Sequence, residues 1–360
     1  MIKTELLIIG GGPAGLAASL AAAEAGVSSI VVDRNQSFGG QLIKQTHKFF
    51  GSEKQYAKTR GINIAKKMIE DTHKYENLIT LLCDTTVLGV YPDLVATCLK
   101  DDKYYKIKAQ AVIVATGAYE KTLAFENNDL PGIYGAGAVQ TLMNVYGIKP
   151  GNKIIMVGSG NIGLIVSYQL LQAGIKVEAV LEAAPRIGGY KVHAAKLRRY
   201  GIPIITSRTV LKAHGEKALE GITTIALNEN WEMVAGSEEY YEADALCLAV
   251  GLSPLSNIFG MLNVEMKYIP ELGGLVPVLR DNYMTSVENI YACGDVAGIE
   301  EASSAIVEGR LAGFYAANGL KRSLDDKEIN DCKKQLQLLR CGPTGEKIRS
   351  GLEKRGEGNA

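Results

Sequence analysis

Near its amino terminus the chain reads Leu6-Leu-Ile-Ile-Gly10-Gly-Gly12-Pro-Ala-Gly15, and this stretch decides the fold. An apolar run stops at glycines spaced G-x-G-x-x-G and an alanine-rich run follows, which predicts a buried strand, a tight turn and a helix. In this pattern Gly10 permits the turn, Gly12 lets a pyrophosphate approach the backbone, and Gly15 lets helix and strand pack closely. Unpaired N–H groups at the helix start favour the phosphates.

A second apolar run, Ser29-Ile-Val-Val, follows the predicted helix and ends on Asp33. Its carboxylate lies 18 residues after Gly15, near the spacing of about 20 expected for an acid that binds an adenosine ribose. Because 40 of the 360 residues are glycine, the prediction depends on the place of these glycines between a strand and a helix. A tight turn that binds nothing is the alternative.

Residues 152–182 repeat this arrangement. A predicted strand leads into Gly158-Ser-Gly160-Asn-Ile-Gly163, and a helix and then a strand ending at Glu182 follow. In both copies a helix-ending glycine lies 11 residues after the third glycine of the turn. This matching spacing predicts two dinucleotide-binding βαβ units. For the second copy, a nucleotide fold that has lost its ligand is the alternative.

The nucleotide preference of the second unit depends on the acid that ends its second strand. Glu182 is expected to hydrogen-bond a ribose 2′-hydroxyl and to repel a 2′-phosphate, which favours NAD over NADP. Arg186, four residues further on, is an alternative partner for such a phosphate.

Composition and cysteine spacing exclude several other classes of protein. Lysine plus arginine and aspartate plus glutamate are balanced at 39 residues each, so neither nucleic acid nor an anionic membrane is indicated as a partner. The first strand starts close to Met1 and its apolar run is too short to span a membrane, so we expect a cytoplasmic chain without a signal peptide. The six cysteines form no C-x-x-C pair or tight metal spacing, and no metal site is predicted.

Three later strand-like runs indicate returns to the nucleotide sites, and they end at Thr116-Gly117, at Gly251 and at Gly294-Asp295. Asp295 is placed to bind a ribitol hydroxyl, and the helix predicted after it directs its positive end at this turn. Glu300 and Glu301 precede that helix and are expected to cap it.

The predicted fold is α/β, with two Rossmann-like domains, the second inserted in the first, and a short carboxyl-terminal tail. The first domain is predicted to comprise residues 1–118 and 253–320, and the second residues 119–252. Residues 321–360 are polar, with lysine and glutamate at helical spacing, and are predicted to be a docking tail.

The motifs together resemble those of the thioredoxin-reductase-like flavoproteins over residues 1–320. The resemblance rests on five stretches: Gly10-x-Gly12-x-x-Gly15, Gly39-Gly40-Gln41-Leu42, Ala115-Thr116-Gly117, Gly158-x-Gly160-x-x-Gly163 and Gly294-Asp295. It implies FAD in the outer domain and NAD(P)H in the inserted one. The residues predicted for FAD are Gly10, Gly12, Pro13, Ala14, Gly15, Asp33, Arg34, Gly40, Gln41, Leu42, Val87, Thr116, Gly117, Gly294 and Asp295. Those predicted for NAD(P) are Gly158, Gly160, Asn161, Ile162, Gly163, Glu182 and Gly251.

Within that group, three stretches resemble the alpha-type subunits of bacterial sarcosine oxidase, hydrogen cyanide synthase and the opine and L-proline dehydrogenases. They are Ala115-Thr-Gly-Ala-Tyr-Glu120, Leu130-Pro-Gly-Ile-Tyr-Gly-Ala-Gly137 and Glu308-Gly-Arg-Leu-Ala-Gly313. In such complexes a second flavoprotein subunit oxidises the amine substrate and electrons pass between subunits. The resemblance therefore implies an oligomer in which the partner is a second flavoprotein subunit.

The chain departs from the resemblance in its cysteines. It lacks the C-x-x-C of thioredoxin reductases and has no cysteines just after Gly40, so a dithiol relay and disulfide reduction are not expected. Several relatives carry a cysteine-rich iron–sulfur segment at the carboxyl terminus, whereas Cys332 and Cys341 cannot supply four ligands. An iron–sulfur centre is therefore expected on a separate small protein.

The sequence predicts hydride transfer between NAD(P)H and FAD, in the electron-transfer subunit of a multi-subunit amine or amino-acid dehydrogenase. The alternatives are a stand-alone NAD(P)H:acceptor flavin reductase and a structural nucleotide-binding subunit. His47 and Lys44 lie in the stretch that passes the flavin in relatives and are the candidate catalytic residues. For His47, a partly exposed loop histidine is the alternative.

Overall fold

The computed structural model describes residues 1–49, 52–320 and 326–356. The chain divides into two compact units, the first formed by Met1–Tyr119 with Leu252–Ala360 and the second by Glu120–Gly251. In chain order the strands are β1 (Ile2–Lys3), β2 (Leu6–Ile9), β3 (Ser29–Val32), β4 (Ile79–Leu82), β5 (Thr86–Val90), β6 (Val95–Lys100), β7 (Lys103–Lys108), β8 (Ala111–Val114), β9 (Ala118–Glu120), β10 (Ile133–Gly135), β11 (Lys153–Val157), β12 (Lys176–Leu181), β13 (Ile204–Ile205), β14 (Arg208–His214), β15 (Gly221–Ala226), β16 (Glu239–Glu242), β17 (Ala245–Leu248), β18 (Leu252–Pro254), β19 (Met266–Ile269), β20 (Gly274–Pro277) and β21 (Ile290–Ala292). The α-helices are α1 (Pro13–Glu24), α2 (Gly61–His73), α3 (Ala136–Asn144), α4 (Asn161–Gln172), α5 (Lys191–Arg199), α6 (Ala302–Gly319), α7 (Asp326–Leu339) and α8 (Gly342–Arg355).

The first unit is built around a parallel sheet with the strand order β21-β8-β2-β3-β4. Strands β2 and β8 are apolar and buried along their whole length, as expected of parallel strands covered on both faces. In register, Leu6 of β2 is paired with Ser29 of β3 and with Ala111 of β8. Because the carboxyl ends of parallel strands share one edge, the turns that follow β2, β3, β8 and β21 meet at that edge.

Helices α1 and α6 cross at close range because small residues line their contact. A methyl group added at Gly309 would come within 3.0 Å of the Ala14 backbone, and one at Gly313 within 3.0 Å of the Ala18 carbonyl oxygen. Arg310 of α6 forms a bidentate ion pair with Glu24 of α1, with N–O distances of 3.1 and 2.7 Å. The glycine contact at Ala14 thus holds the amino-terminal end of α1 against α6, and the ion pair at Glu24 holds its carboxyl-terminal end.

The carboxyl-terminal helices α7 and α8 pack on the first unit. Helix α7 buries Ile329, Cys332 and Leu336, and a methyl group added at Gly351 of α8 would lie 2.8 Å from the Leu272 side chain. A further sheet of this unit has the order β1-β7-β6-β5. Of the predicted docking tail, residues 321–325 and 357–360 lie outside the described residues.

The second unit contains a parallel sheet with the order β10-β17-β11-β12-β13 and an antiparallel sheet with the order β14-β15-β16. Its two ends lie side by side, because the Lys121 N–H donates to the Gly251 carbonyl oxygen at 2.9 Å. In the first unit the Leu255 N–H donates likewise to the Gly117 carbonyl oxygen at 2.9 Å. In each unit, the chain segments on either side of the crossing point are therefore hydrogen-bonded to each other.

The strand–helix–strand order predicted around both glycine motifs is confirmed, since β2-α1-β3 and β11-α4-β12 lie where the sequence indicates them. Across the described ranges, no helix is both long enough and apolar enough to cross a membrane.

Candidate functional site

The first glycine turn lies between β2 and α1, and its three glycines differ in what the protein itself requires of them. Gly10 has φ +107°, and a methyl group there would come within 3.0 Å of the Ala115 carbonyl oxygen. A methyl group at Gly15 would meet the Gly10 carbonyl oxygen at a similarly forbidden distance. At Gly12, by contrast, the nearest atom to an added methyl group is the Gly40 Cα at 3.8 Å. Packing explains Gly10 and Gly15, whereas at Gly12 a methyl group would make only an ordinary van der Waals contact.

The second glycine turn, between β11 and α4, repeats this division. A methyl group at Gly158 would come within 3.0 Å of the Ala249 carbonyl oxygen, and one at Gly163 within 3.0 Å of the Gly158 carbonyl oxygen. Around Gly160 no atom lies within 4 Å of an added methyl group. The middle glycine of each turn therefore leaves room beside the backbone that the protein does not fill.

The helices that follow these turns begin with unpaired donors. Within the described part of the chain, no side chain caps the N-terminus of α1 at Gly12 or of α4 at Gly160. Pro13 is the first residue of α1, a position at which its missing N–H is no loss. At α4, Asn161 turns its Oδ1 to the Tyr190 N–H at 2.8 Å, and the neighbouring Ile162 is 41% exposed. Both helix starts present N–H groups and positive potential to an anion.

The predicted ribose acids occupy matching positions in the two units. Asp33 accepts the Gly11 N–H at 2.7 Å and the Asn35 N–H at 2.8 Å. Glu182 accepts the Ser159 N–H at 2.9 Å and the Ala184 N–H at 2.9 Å. In each case the donors are the residue after the first glycine and the residue two positions after the acid. The unused lone pairs of each carboxylate are its capacity for ribose hydroxyls.

The second unit has a glycine pair, Gly188-Gly189, that the sequence analysis missed and that matches Gly39-Gly40 of the first unit. The Gly39 N–H donates to the Gly11 carbonyl oxygen at 2.8 Å, and in the second unit the Gly189 N–H donates to the Ser159 carbonyl oxygen at 2.8 Å. A methyl group at Gly189 would come within 3.0 Å of the Asn161 nitrogen, so the second pair packs on the start of α4. The signal was present as Phe38-Gly-Gly and Ile187-Gly-Gly, each a few residues after the ribose acid.

The structure brings together the FAD-predicted stretches of the first unit. Gly40 packs on Gly12, since a methyl group there would lie 2.8 Å from the Gly12 Cα. Gly294 packs on Ala14 at the start of α1 in the same way, with 2.8 Å to the Ala14 Cβ. Gly10 packs on the Ala115 carbonyl group, next to Thr116-Gly117.

The remaining predicted residues lie in several different elements. Gln41 and Leu42 lie in a 3₁₀ turn over Gly40–Lys44, in which Leu42 is buried. Thr116 donates its hydroxyl to the Leu255 carbonyl oxygen at 2.8 Å. Arg34 is exposed beside Asp33. Val87 lies in β5, paired with Cys98, and Gly251 follows β17 at the end of the second unit.

The two candidate catalytic residues lie in the segment after Gly40. Lys44 ends the 3₁₀ turn, and the His47 ring stacks on the Phe49 ring with centroids 5.9 Å apart. Their proposed contact with a flavin remains a prediction.

Asp295 lies in the turn after β21 and carries an unusual carboxyl group. The Glu300 N–H donates to its Oδ1 at 3.4 Å. Burial is the main reason that its pKa is raised to about 7 from the usual 3.8, and the Glu308 and Glu300 carboxylates add to the rise.

Glu300 does not have the expected capping role. Its carboxylate accepts two bonds from the Arg340 guanidinium, at 3.0 Å from Nε and 2.6 Å from Nη2. Glu301 takes the position before the first residue of α6, without a side-chain cap hydrogen bond. The prediction that this pair caps α6 is wrong, because a buried carboxylate gains more from a bidentate guanidinium than from a helix start.

Two of the buried cysteines, Cys247 and Cys293, lie in surroundings that disfavour the reactive thiolate. Burial raises the pKa of Cys293, beside Gly294, and of Cys247 in β17 well above the usual range, so both thiols stay neutral and unreactive. All six cysteines are unbridged. Among the residues that the structure describes, no group of three or more His, Cys, Asp or Glu side chains is arranged to hold a metal ion.

Two parallel α/β sheets, each with a glycine turn, an uncapped helix start and a ribose-type acid at the strand ends, define a protein with two Rossmann-like units. The description "Pyridine nucleotide-disulphide oxidoreductase" belongs to the family that matches residues 4–309. The chain belongs to this family of oxidoreductases, and membership implies binding of FAD and NAD(P)H.

Individual relatives agree with the resemblance stated from the motifs. The alpha subunit of sarcosine oxidase from Corynebacterium sp. (strain P-1) is 26% identical over 88% of this chain and 32% of its own length. The A subunit of opine oxidase from Agrobacterium tumefaciens (strain Ach5) is 26% identical over 88% of this chain and 66% of its own length. The solved thioredoxin reductase of T. acidophilum superposes with a TM-score of 0.73 and 20% identity, over 89% of this chain and all of that one. The predicted resemblance and fold class are confirmed, and the chain spans from a third to two thirds of the length of these two oxidase subunits.

Proposed function

We propose that this chain transfers a hydride between NAD(P)H and FAD as the electron-transfer subunit of a multi-subunit amine or amino-acid dehydrogenase. The observation that carries the proposal is the middle glycine of each turn. A methyl group at Gly160 would meet no atom within 4 Å, and one at Gly12 would meet only the Gly40 Cα at 3.8 Å. Both glycines precede helix starts that have no side-chain cap. A glycine that packing does not require, next to unpaired N–H groups, fits the close approach of a pyrophosphate.

In the first unit the chain's own residues bind and orient the flavin nucleotide. The start of α1 donates N–H groups to the pyrophosphate, and Asp33 holds the adenosine ribose through lone pairs that its backbone bonds leave unused. Asp295 accepts from a ribityl hydroxyl, and the positive end of α6 stabilises negative charge beside it. When bound, FAD and NAD(P)H supply the hydride-transfer chemistry itself.

In the second unit Glu182 favours NAD over NADP. Its carboxylate is held in place by the Ser159 and Ala184 N–H groups. An ionised acid in this position attracts a ribose hydroxyl and repels a 2′-phosphate.

We further propose that the chain is not a disulfide reductase. The sequence has no C-x-x-C pair, and Cys247 and Cys293 are buried with raised pKa values. Electrons are therefore expected to leave through a partner or an external acceptor rather than through a dithiol of this chain.

The partners are inferred from the relatives, since the sarcosine oxidase and opine oxidase polypeptides are each named as subunits. This chain spans 32% and 66% of their lengths. We propose a hetero-oligomer with a small iron–sulfur protein and a second flavoprotein subunit.

The test begins with the purified chain loaded with FAD under anaerobic conditions. Addition of NADH is expected to bleach the absorbance of the oxidised flavin, which reports hydride transfer. NADPH is expected to bleach it more slowly. Failure to bind FAD, or a bound flavin that neither nucleotide bleaches, would contradict the proposal and leave a structural role.

A second candidate is a stand-alone NAD(P)H:acceptor flavin reductase, which is favoured by the presence of both glycine turns in one chain. Purification from the native host at low salt separates the two candidates. Co-purification of a second flavoprotein, together with amine-dependent reduction of NAD, supports the multi-subunit dehydrogenase. A homo-oligomer that turns over NADH with a small-molecule acceptor supports the stand-alone enzyme.

A further inference from the structure

The segment that follows the flavin motif is bonded to the carboxyl-terminal helices. We define turn 294–298 as the five residues from Gly294 to Gly298, after β21. The Glu308 Oε2 accepts the Gly294 N–H at 3.0 Å, and its Oε1 accepts Arg340 Nη2 at 2.5 Å. At the other end of the turn, Arg355 Nη1 donates to the Ala297 carbonyl oxygen at 2.7 Å. Two arginines of the carboxyl-terminal segment thus hold this turn, one directly and one through Glu308.

The bonds around Arg340 form a closed circuit. Arg340 donates to the Glu308 carboxylate, which also accepts the Gly294 N–H. Asp295 is the next residue in the chain. The Asp295 carboxyl group accepts the Glu300 N–H, and the Glu300 carboxylate returns to Arg340 at 2.6 and 3.0 Å. The side chains of Glu300 and Glu308 are 8% and 3% exposed, so solvent cannot replace the guanidinium as their partner.

Arg340 brings positive charge to a cluster that is rich in carboxyl groups. Three carboxyl groups, of Asp295, Glu300 and Glu308, face one guanidinium, and burial raises the pKa of Glu300. A guanidinium remains charged and donates in a planar fork, so it fixes the geometry of both carboxylates as well as their charge.

We propose that Arg340 is a positioning residue for the flavin: through Glu300 and Glu308 it fixes turn 294–298 and sets the electrostatic field at that turn. This inference rests on the proposed function, because it assumes that turn 294–298 receives the flavin. It makes the carboxyl-terminal segment 326–356 a part of the cofactor site. Removing the guanidinium leaves more negative charge at the site, which opposes flavin reduction and frees the turn to move.

The experiment compares the FAD-loaded wild type with Arg340→Met, Arg340→Lys and a control, Arg310→Met. The control removes the bidentate pair between Arg310 and Glu24. Arg310 lies on α6, the helix that also carries Glu308, but its pair with Glu24 lies outside turn 294–298. For Arg340→Met we expect at least a tenfold weaker FAD affinity. We also expect a more negative two-electron midpoint potential, by about 30 mV for each tenfold change in the equilibrium constant. Arg340→Lys keeps the charge and loses the fork, so it should restore the potential more than the affinity.

Several outcomes distinguish this inference from its premise. If the wild type takes up no FAD, the proposed function itself fails. If the wild type binds FAD and Arg340→Met keeps both its affinity and its potential, the positioning role is wrong. Equal potential shifts in Arg310→Met would also overturn it, since they would reflect general loosening of the fold. Should Arg340→Met fail to fold, an unchanged FAD affinity in Arg340→Lys refutes the role of the fork.

Discussion

Replacing the middle glycine of the second turn separates ligand binding from folding. Gly160 has φ −66° and ψ 175°, which alanine adopts without strain, and no atom lies within 4 Å of the added methyl group. Gly160→Ala should therefore leave the cofactor-free chain as stable as the wild type, or more stable by about 0.4–1 kcal/mol through the lower entropy of the unfolded chain. The methyl group would then occupy the space proposed for the pyrophosphate.

The loss of binding can be bounded from the cost of overpacking. Forcing a methyl group into an occupied space costs about 1–3 kcal/mol, and each 1.4 kcal/mol is roughly tenfold in affinity. Gly160→Ala should thus weaken NADH binding by about 5- to 150-fold. Titration calorimetry on the FAD-loaded protein measures the affinity, and thermal or denaturant unfolding measures the stability.

The matched control is the third glycine of the same turn. A methyl group at Gly163 would come within 3.0 Å of the Gly158 carbonyl oxygen, so Gly163→Ala should destabilise the apo protein whether or not a ligand is present. If Gly160→Ala instead binds NADH as well as the wild type does, the reasoning that assigns the open space to a ligand is refuted.

Three further predictions address other parts of the molecule. The pKa of Asp295, raised from 3.8 to about 7, means that the folded state holds this proton more tightly than the unfolded state. As the pH rises from about 4 to 7, the unfolding free energy of the cofactor-free chain should therefore fall. Denaturant titrations of Asp295→Asn should show this fall reduced by at most about 4 kcal/mol. A pH profile identical to that of the wild type contradicts this. Glu182→Gln should reduce the NADH-over-NADPH preference in kcat/KM by about 10- to 100-fold, because a charged acceptor is worth about 1.5–3 kcal/mol, and an unaltered ratio excludes Glu182 from nucleotide choice. Gly309→Ala should cost at least about 1–3 kcal/mol of stability, because its methyl group meets the Ala14 backbone. The control Gly260→Ala should cost little, because no atom lies within 4 Å of its methyl group. Equal stability of the two variants argues against the close crossing of α1 and α6.

The local patterns predicted much of the fold. Strand β3 has the predicted bounds Ser29–Val32, and α6 runs from Ala302 to Gly319, as its helical pattern indicates. These elements depend on short-range periodicity and on glycines at fixed spacing, which one sequence displays fully. Asp33 and Glu182 were predicted as ribose acids for the same reason, since each follows a strand at a set distance from its turn.

Long-range polar bonds could not be predicted in this way. Glu300 was interpreted as a helix cap, whereas its partner is Arg340, 40 residues further along the chain. No local pattern pairs an acid with an arginine at such a distance, because the pairing depends on how α7 and α8 pack. The Gly188-Gly189 pair was missed for a different reason: its signal is local, but it becomes evident when the two units are compared through their hydrogen bonds.

The hydrogen bond between Lys121 and Gly251 has a consequence for engineering. Because the second residue of the inserted unit is bonded to its last residue, the two ends of the unit are adjacent. They can therefore be joined, and new termini opened at a surface loop. In the first unit, Gly117 and Leu255 are likewise hydrogen-bonded, so a short linker between them would replace the inserted unit.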